Sequence, residues 1–126
     1  MKRLTFAFCI MLLLSLYNWY AERYVVDFCS EIDAILESCA TQIAEEKYSQ
    51  AQSTVSKLYV LWEEKDAIMS VFIGDDSVIE PQKGIVSIRR SLEDENYGEC
   101  LISIRECQGY VHKIIETIRT SFVNVL

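Results

Sequence analysis

Five cysteines, one histidine and 19 carboxylates are the side chains of this 126-residue sequence with the greatest capacity for chemistry, and their spacing assembles little of it. The thiols stand at Cys9, Cys29, Cys39, Cys100 and Cys107, an odd set without a Cys-x-x-Cys pair. Neither a zinc knuckle nor a dithiol redox motif can be built from them. Cys100 and Cys107 lie two helical turns apart, too far to chelate one ion locally. Cys39, Cys100 and Cys107 fall on apolar stripes, where a thiol behaves as a small core hydrophobe. A disulfide from Cys39 to Cys100 or Cys107 stays open if this part of the chain lies outside the cytoplasm.

His112 has Glu116 one helical turn away, a surface pair worth a few tenths of a kcal/mol. Cys107 precedes it by five residues, about 500° of helical rotation, so the two point to different faces and make no nucleophile pair. One histidine cannot supply a di-histidine metal site, and the Glu-x-x-His pairs of carboxylate-bridged di-metal bundles are missing. Walker A, dinucleotide-glycine and Gly-x-Ser-x-Gly motifs are also absent. Glu45-Glu46, Glu63-Glu64 and Glu93-Asp94-Glu95 lack calcium-loop spacing and are expected on solvated faces. No catalytic or metal-ligating residue, no cofactor and no enzymatic activity is expected.

The elements that carry these residues begin with Leu4–Tyr20, LTFAFCIMLLLSLYNWY, an uncharged run closing on Tyr17, Trp19 and Tyr20. It matches a membrane span with an interfacial aromatic belt. At about 1.5 Å per residue it covers roughly 25 Å, a little short of a ~30 Å hydrocarbon core. A cleaved export signal would need small residues before the cut, and Tyr17, Trp19 and Tyr20 occupy that stretch. Cys9 and Cys29 likewise lack a lipoprotein context, and the core helix of a soluble protein is the third alternative. Residues 1–23 are therefore taken as an uncleaved anchor and residues 24–126 as a separate domain. Lys2 and Arg3 keep the amino terminus in the cytoplasm by the positive-inside rule, leaving the domain extracytoplasmic. That domain holds nine basic and 18 acidic residues, net −9, which repels nucleic acid and anionic lipid headgroups.

Beyond the anchor, Val25, Phe28, Cys29, Ile32, Ile35, Leu36, Cys39 and Ile43 recur at helical spacing, as do Tyr48, Ala51, Val55, Leu58, Tyr59, Trp62, Met69 and Phe72. Gly74-Asp75-Asp76-Ser77 marks a turn with helix-capping residues, and Pro81 fits the first turn of a third helix carrying Ile85, Ile88 and Leu92. A fourth stripe runs from Tyr97 to Phe122. The class is all-α: a single transmembrane helix followed by two antiparallel helical hairpins, forming a four-helix bundle or a short stack of helical repeats. Trp62 is expected in the core. Tyr48 and Tyr97 are expected each to close a hairpin turn, with a loss of about 3 kcal/mol on replacement by Ala if buried.

At an offset of 49, Leu36/Ile85, Cys39/Ile88, Ile43/Leu92, Tyr48/Tyr97, Ala51/Cys100, Val55/Ile104, Leu58/Cys107 and Trp62/Val111 agree in character, and both acidic turns fall in register. Amphipathic helices match one another by period alone, so duplication and coincidence both remain open. The basic start, the anchor, the two acidic-turn hairpins and Trp62 resemble the bacterial family called domain of unknown function 4363. That resemblance implies a small membrane-anchored helical protein of Gram-positive bacteria and transfers no catalytic residues.

The expected function is that of a non-enzymatic, single-pass membrane protein of the cell envelope, whose bundle meets a protein partner or its own copy. The alternative is a tethered bundle that binds a small ligand or a cation, which would need an interior cavity. The candidate interaction surface is the uncharged carboxyl end, Phe122, Val123, Val125 and Leu126, and an exposed apolar strip along the fourth helix would support it.

Overall fold

The computed structural model describes residues 1–125, with side chains described as far as Thr120. Four helices make up the described residues: α1 (Lys2–Ala44), α2 (Tyr48–Ile73), α3 (Asp75–Glu93) and α4 (Tyr97–Val125). Among the described residues there is no strand, so the fold is all-α. The expected anchor and the first bundle helix prove to be one element. α1 runs 43 residues without a break, exposed from Lys2 to Tyr20 and then amphipathic from Ala21 onward. No Gly or Pro interrupts it at the change of character, which leaves nothing to hinge the two parts.

The two hairpin turns have the same geometry. After α1, Lys47 N donates to Gln42 O (2.8 Å) and Glu46 N to Ile43 O (3.1 Å). After α3, at the register of the repeat, Asn96 N donates to Ser91 O (2.9 Å) and Glu95 N to Leu92 O (3.2 Å). Each set is a Schellman motif, satisfying helix-end carbonyls through one left-handed residue. Glu46 (φ 62°) and Glu95 (φ 58°) fill that position in place of the usual glycine, at a cost of roughly 1 kcal/mol each. The connection from α2 to α3 is a single residue, Gly74, whose φ of 88° suits the missing Cβ.

α3 consequently starts earlier than the capping signals suggested. Asp75, Asp76 and Ser77 form its first turn, where the two carboxylates favour the positive helix end but make no side-chain cap hydrogen bond. Pro81 is thus the seventh residue of α3, one turn deeper than expected. It gives up a helical hydrogen bond there and lies fully buried.

α1 packs on α2, α2 on α3, α3 on α4, and α4 returns to α1, which closes a four-membered up-down-up-down bundle and excludes an open repeat stack. Its core is continuous from Val25 to Ile114 and includes Ile32, Leu36, Trp62, Met69, Ile85, Ile88 and Ile104. Every pair of the 49-residue register named above is buried on both sides except Tyr48/Tyr97, whose members are both half-buried. Shared turn hydrogen bonds, left-handed residues and buried positions go well beyond a common helical period. The two hairpins share their turn geometry and their core register.

Candidate functional site

The first feature that demands a functional account is the exposed half of α1. Leu4, Phe6, Phe8, Met11, Leu13, Leu14 and Leu16 are each more than half exposed, and no other helix covers them. A soluble monomer does not leave a contiguous apolar surface of that size in water. By length and composition this is the chain's one candidate membrane span among the described residues.

Aromatic side chains join this segment to the bundle. Phe72, near the end of α2, packs edge-on against Tyr17 (ring centroids 6.1 Å apart) and Tyr24 (5.4 Å). Tyr20 lies 6.4 Å from Tyr24. Two cations flank the cluster: Arg23 over Trp19 and Lys65 over Tyr24, each 5.9 Å from the ring centroid. The belt residues were legible as a membrane signal, whereas Phe72 was legible only as one position of a core stripe. A single-chain periodicity cannot show that α2 descends beside the apolar half of α1.

The candidate interaction residues Phe122, Val123, Val125 and Leu126 lie outside the residues whose side chains are described. On the described part of α4, Ile102 is the only exposed large hydrophobe, so the apolar strip that would favour the interaction module is not seen there. Exposed apolar residues instead mark α2 at Val60, Ile68 and Val71, and α3 at Ile79 and Val86. Two depressions at the helix seams are open grooves. One of about 640 Å³ follows α3 and α4 past Lys83, Ser87 and Arg90, and one of about 370 Å³ lies between Phe72, Glu80, Tyr110 and Lys113. Neither forms the enclosed polar chamber that the ligand-binding alternative calls for.

All five thiols are free. Cys29, Cys39, Cys100 and Cys107 are buried, and desolvation pushes Cys29, Cys39 and Cys107 up to about 12 and Cys100 to about 11. These four stay protonated and unreactive at neutral pH, consistent with the core role read from their stripes. Cys100 Sγ approaches Ile88 O (3.6 Å) and Cys107 Sγ approaches Pro81 O (3.7 Å), both bonds from α4 to α3. Among the described residues no group of three His, Cys, Asp or Glu side chains is placed to hold a metal ion.

His112 does not pair with Glu116 as its spacing suggested. It reaches across to α1, with Nε2 3.1 Å from Asp33 Oδ1, near enough for an ion pair when the imidazole is charged but not aligned for a hydrogen bond. One turn further along, Arg105 donates to Glu37 (2.6 Å) and to Gln108 (2.8 Å), and Gln108 donates to the same Glu37 oxygen (3.0 Å). These bonds hold the Glu37 carboxyl below the usual glutamate range, through Gln108 first and Arg105 second. The α1–α4 seam is therefore polar on its outer side between Asp33 and Glu37. Sequence reading missed it because its partners lie 68 to 71 residues apart and no local spacing joins them.

The fold and this surface define a class: a closed four-helix bundle of two like hairpins, with one apolar helical segment projecting from it. Within that class the chain belongs to the family described as domain of unknown function (DUF4363), whose match covers residues 19–125. The match takes in the whole bundle and leaves most of the apolar run outside, so it carries no information on membrane anchoring. No curated protein and no solved structure matches the chain.

Proposed function

We propose that the protein is a non-enzymatic, single-pass membrane protein, anchored through residues 4–20, whose bundle lies outside the cytoplasm and serves as an interaction module for an envelope protein or a second copy. The observation that carries this reading is the continuity of α1: the helix whose amino-terminal half is apolar and exposed also forms one wall of the bundle core. A bundle attached in this way is held at a fixed angle and height above the bilayer, as suits presentation of a surface. The basic Lys2 and Arg3, with only Arg23 in the 20 residues beyond the anchor, support the orientation.

The test is photo-cross-linking in cells from the exposed positions Ile102 on α4 and Val60 on α2 of the full chain. A recurring envelope protein, or a specific self-link, is the expected product. Absence of any adduct from both positions in a correctly inserted protein would remove the interaction-module reading.

A further inference from the structure

The end of α2 carries eight uncharged residues in a row, Ala67-Ile68-Met69-Ser70-Val71-Phe72-Ile73-Gly74. Met69 is buried in the core, but Ile68 (43% exposed) and Val71 (73% exposed) face away from it, and Phe72 and Ile73 are half-buried. A corner so apolar is unusual at the end of an acidic bundle. Its height is set by ring contacts, because Phe72 touches both Tyr17 and Tyr24 of α1.

Tyr17 belongs to the uncharged run Leu4–Tyr20 and lies six residues, about 9 Å of helix, on the apolar side of Arg23. If that run crosses a bilayer, Phe72 stands at the depth of the aromatic belt, and the exposed Val71 and Ile68 stand within about a helical turn of it. Arg23 and Lys65 flank the same aromatic cluster on α1 and α2, placed to meet lipid phosphates just above the apolar corner. Asp75 and Asp76 follow Gly74 at once and are exposed, which limits the depth of the corner to the headgroup layer.

We propose that the α2 corner, Ile68, Val71, Phe72 and Ile73, is a second membrane contact, seated in the headgroup–acyl boundary of the bilayer that α1 crosses. It rests on the anchored reading of α1 and adds to it. The bundle sits on the membrane along two helices, with its Tyr48–Tyr97 end farthest out, and any partner must approach from the sides or that far end.

Spin labels on the full chain, in phosphatidylcholine vesicles and with Cys9→Ser to remove the exposed thiol, test this directly. Single labels are placed at Val71→Cys, Ile68→Cys, Val60→Cys and Leu13→Cys, and their collision rates with oxygen and with a water-soluble nickel complex are compared. Val60 lies eleven residues up α2 from Val71, about 16 Å along the helix, and serves as the aqueous reference. The ratio of oxygen to nickel collisions is expected to be several-fold higher at 71 and 68 than at 60, and highest at 13. A nickel-accessible label at 13 would overturn the anchored reading itself. A lipid-protected label at 13 with labels at 68 and 71 as wet as that at 60 would overturn the second contact alone. Protection of 68 and 71 from both reagents would likewise overturn it, assigning the corner to a protein interface.

Discussion

The α1–α2 and α3–α4 hairpins share a turn, a register and a set of buried positions, yet they solve helix packing differently. In the first, large side chains fill the interface: Trp62 is 2% exposed, its ring 5.7 Å from that of Phe28, and Ile35 and Leu58 occupy a matched pair of positions. In the second the counterparts are small, with Val111 for Trp62, Gly84 for Ile35 and Cys107 for Leu58. A Cβ at Gly84 would stand 3.1 Å from Cys107 Cβ, so α3 and α4 approach as closely as glycine allows. The seams between hairpins differ too. α1–α4 is joined by Glu37, Arg105, Gln108, Asp33 and His112, whereas at α2–α3 the repeat places Val86, Ser56, Tyr59, Gln82 and Glu63. One shared frame thus carries bulk and the exposed apolar segment in one half and close backbone approach in the other.

The largest expected effect tests the bulky half. Trp62→Ala should cost about 3–5 kcal/mol in chemical denaturation, because it opens a cavity against Phe28 that the frame cannot collapse. Trp62→Phe should cost well under half of that, since the indole Nε1 is buried without a hydrogen-bond partner and its removal relieves a desolvated N–H. Equal losses for the two variants would mean that the nitrogen is satisfied and the interface is not filled by bulk alone.

Next comes the close-approach half. Gly84→Ala gains helix propensity of about 1 kcal/mol but pushes on Cys107 Cβ, which can move only with the α4 backbone. A net loss of about 1–2 kcal/mol is expected, read as a lower thermal midpoint. An unchanged or higher midpoint would show that the second hairpin packs no more tightly than the first.

Tyr48 and Tyr97 tie the two hairpins together. Periodicity places each at a hairpin turn, and their rings also stack on each other, centroids 3.8 Å apart and 4° from parallel, so each tyrosine bridges the hairpins as well. Both are only half-buried, and each Ala variant should therefore lose less than the 3 kcal/mol of a core aromatic. A double-mutant cycle is expected to return a coupling of about 0.5–1.5 kcal/mol between them. Strict additivity would return them to independent turn residues.

What the sequence made legible follows the range of the interactions. Helical stripes, the break at Gly74, the acidic turns and the apolar run are local patterns, and each has its counterpart in the fold. The 49-residue register could be read because the two hairpins repeat the same local pattern. Pro81 was misplaced because Asp75, Asp76 and Ser77 suit a cap and a first turn equally well, and only the one-residue connection at Gly74 decides between them. The Phe72–Tyr17 contact, the Tyr48–Tyr97 stack and the Asp33–His112 pair join separate helices, and no window along the chain contains both partners.

The smallest expected effect concerns the polar seam and is read through pH. Glu37 has a lowered pKa in the folded chain, caused first by the Gln108 hydrogen bond and then by Arg105. A group with a depressed folded pKa binds its proton more readily when unfolded, so its contribution to stability is complete above the ordinary glutamate range and is lost as pH falls through the folded value. The seam half of the comparison therefore predicts that Glu37→Gln is less stable than the parent near neutral pH and that the gap narrows on acidification to about pH 3.5. Both partners are more than half exposed, so the gap itself should be small and should shrink further in high salt. The measurement is a pair of urea titrations at each pH. A gap that is constant with pH would show that Glu37 contributes only packing, and would remove the electrostatic distinction between the two seams.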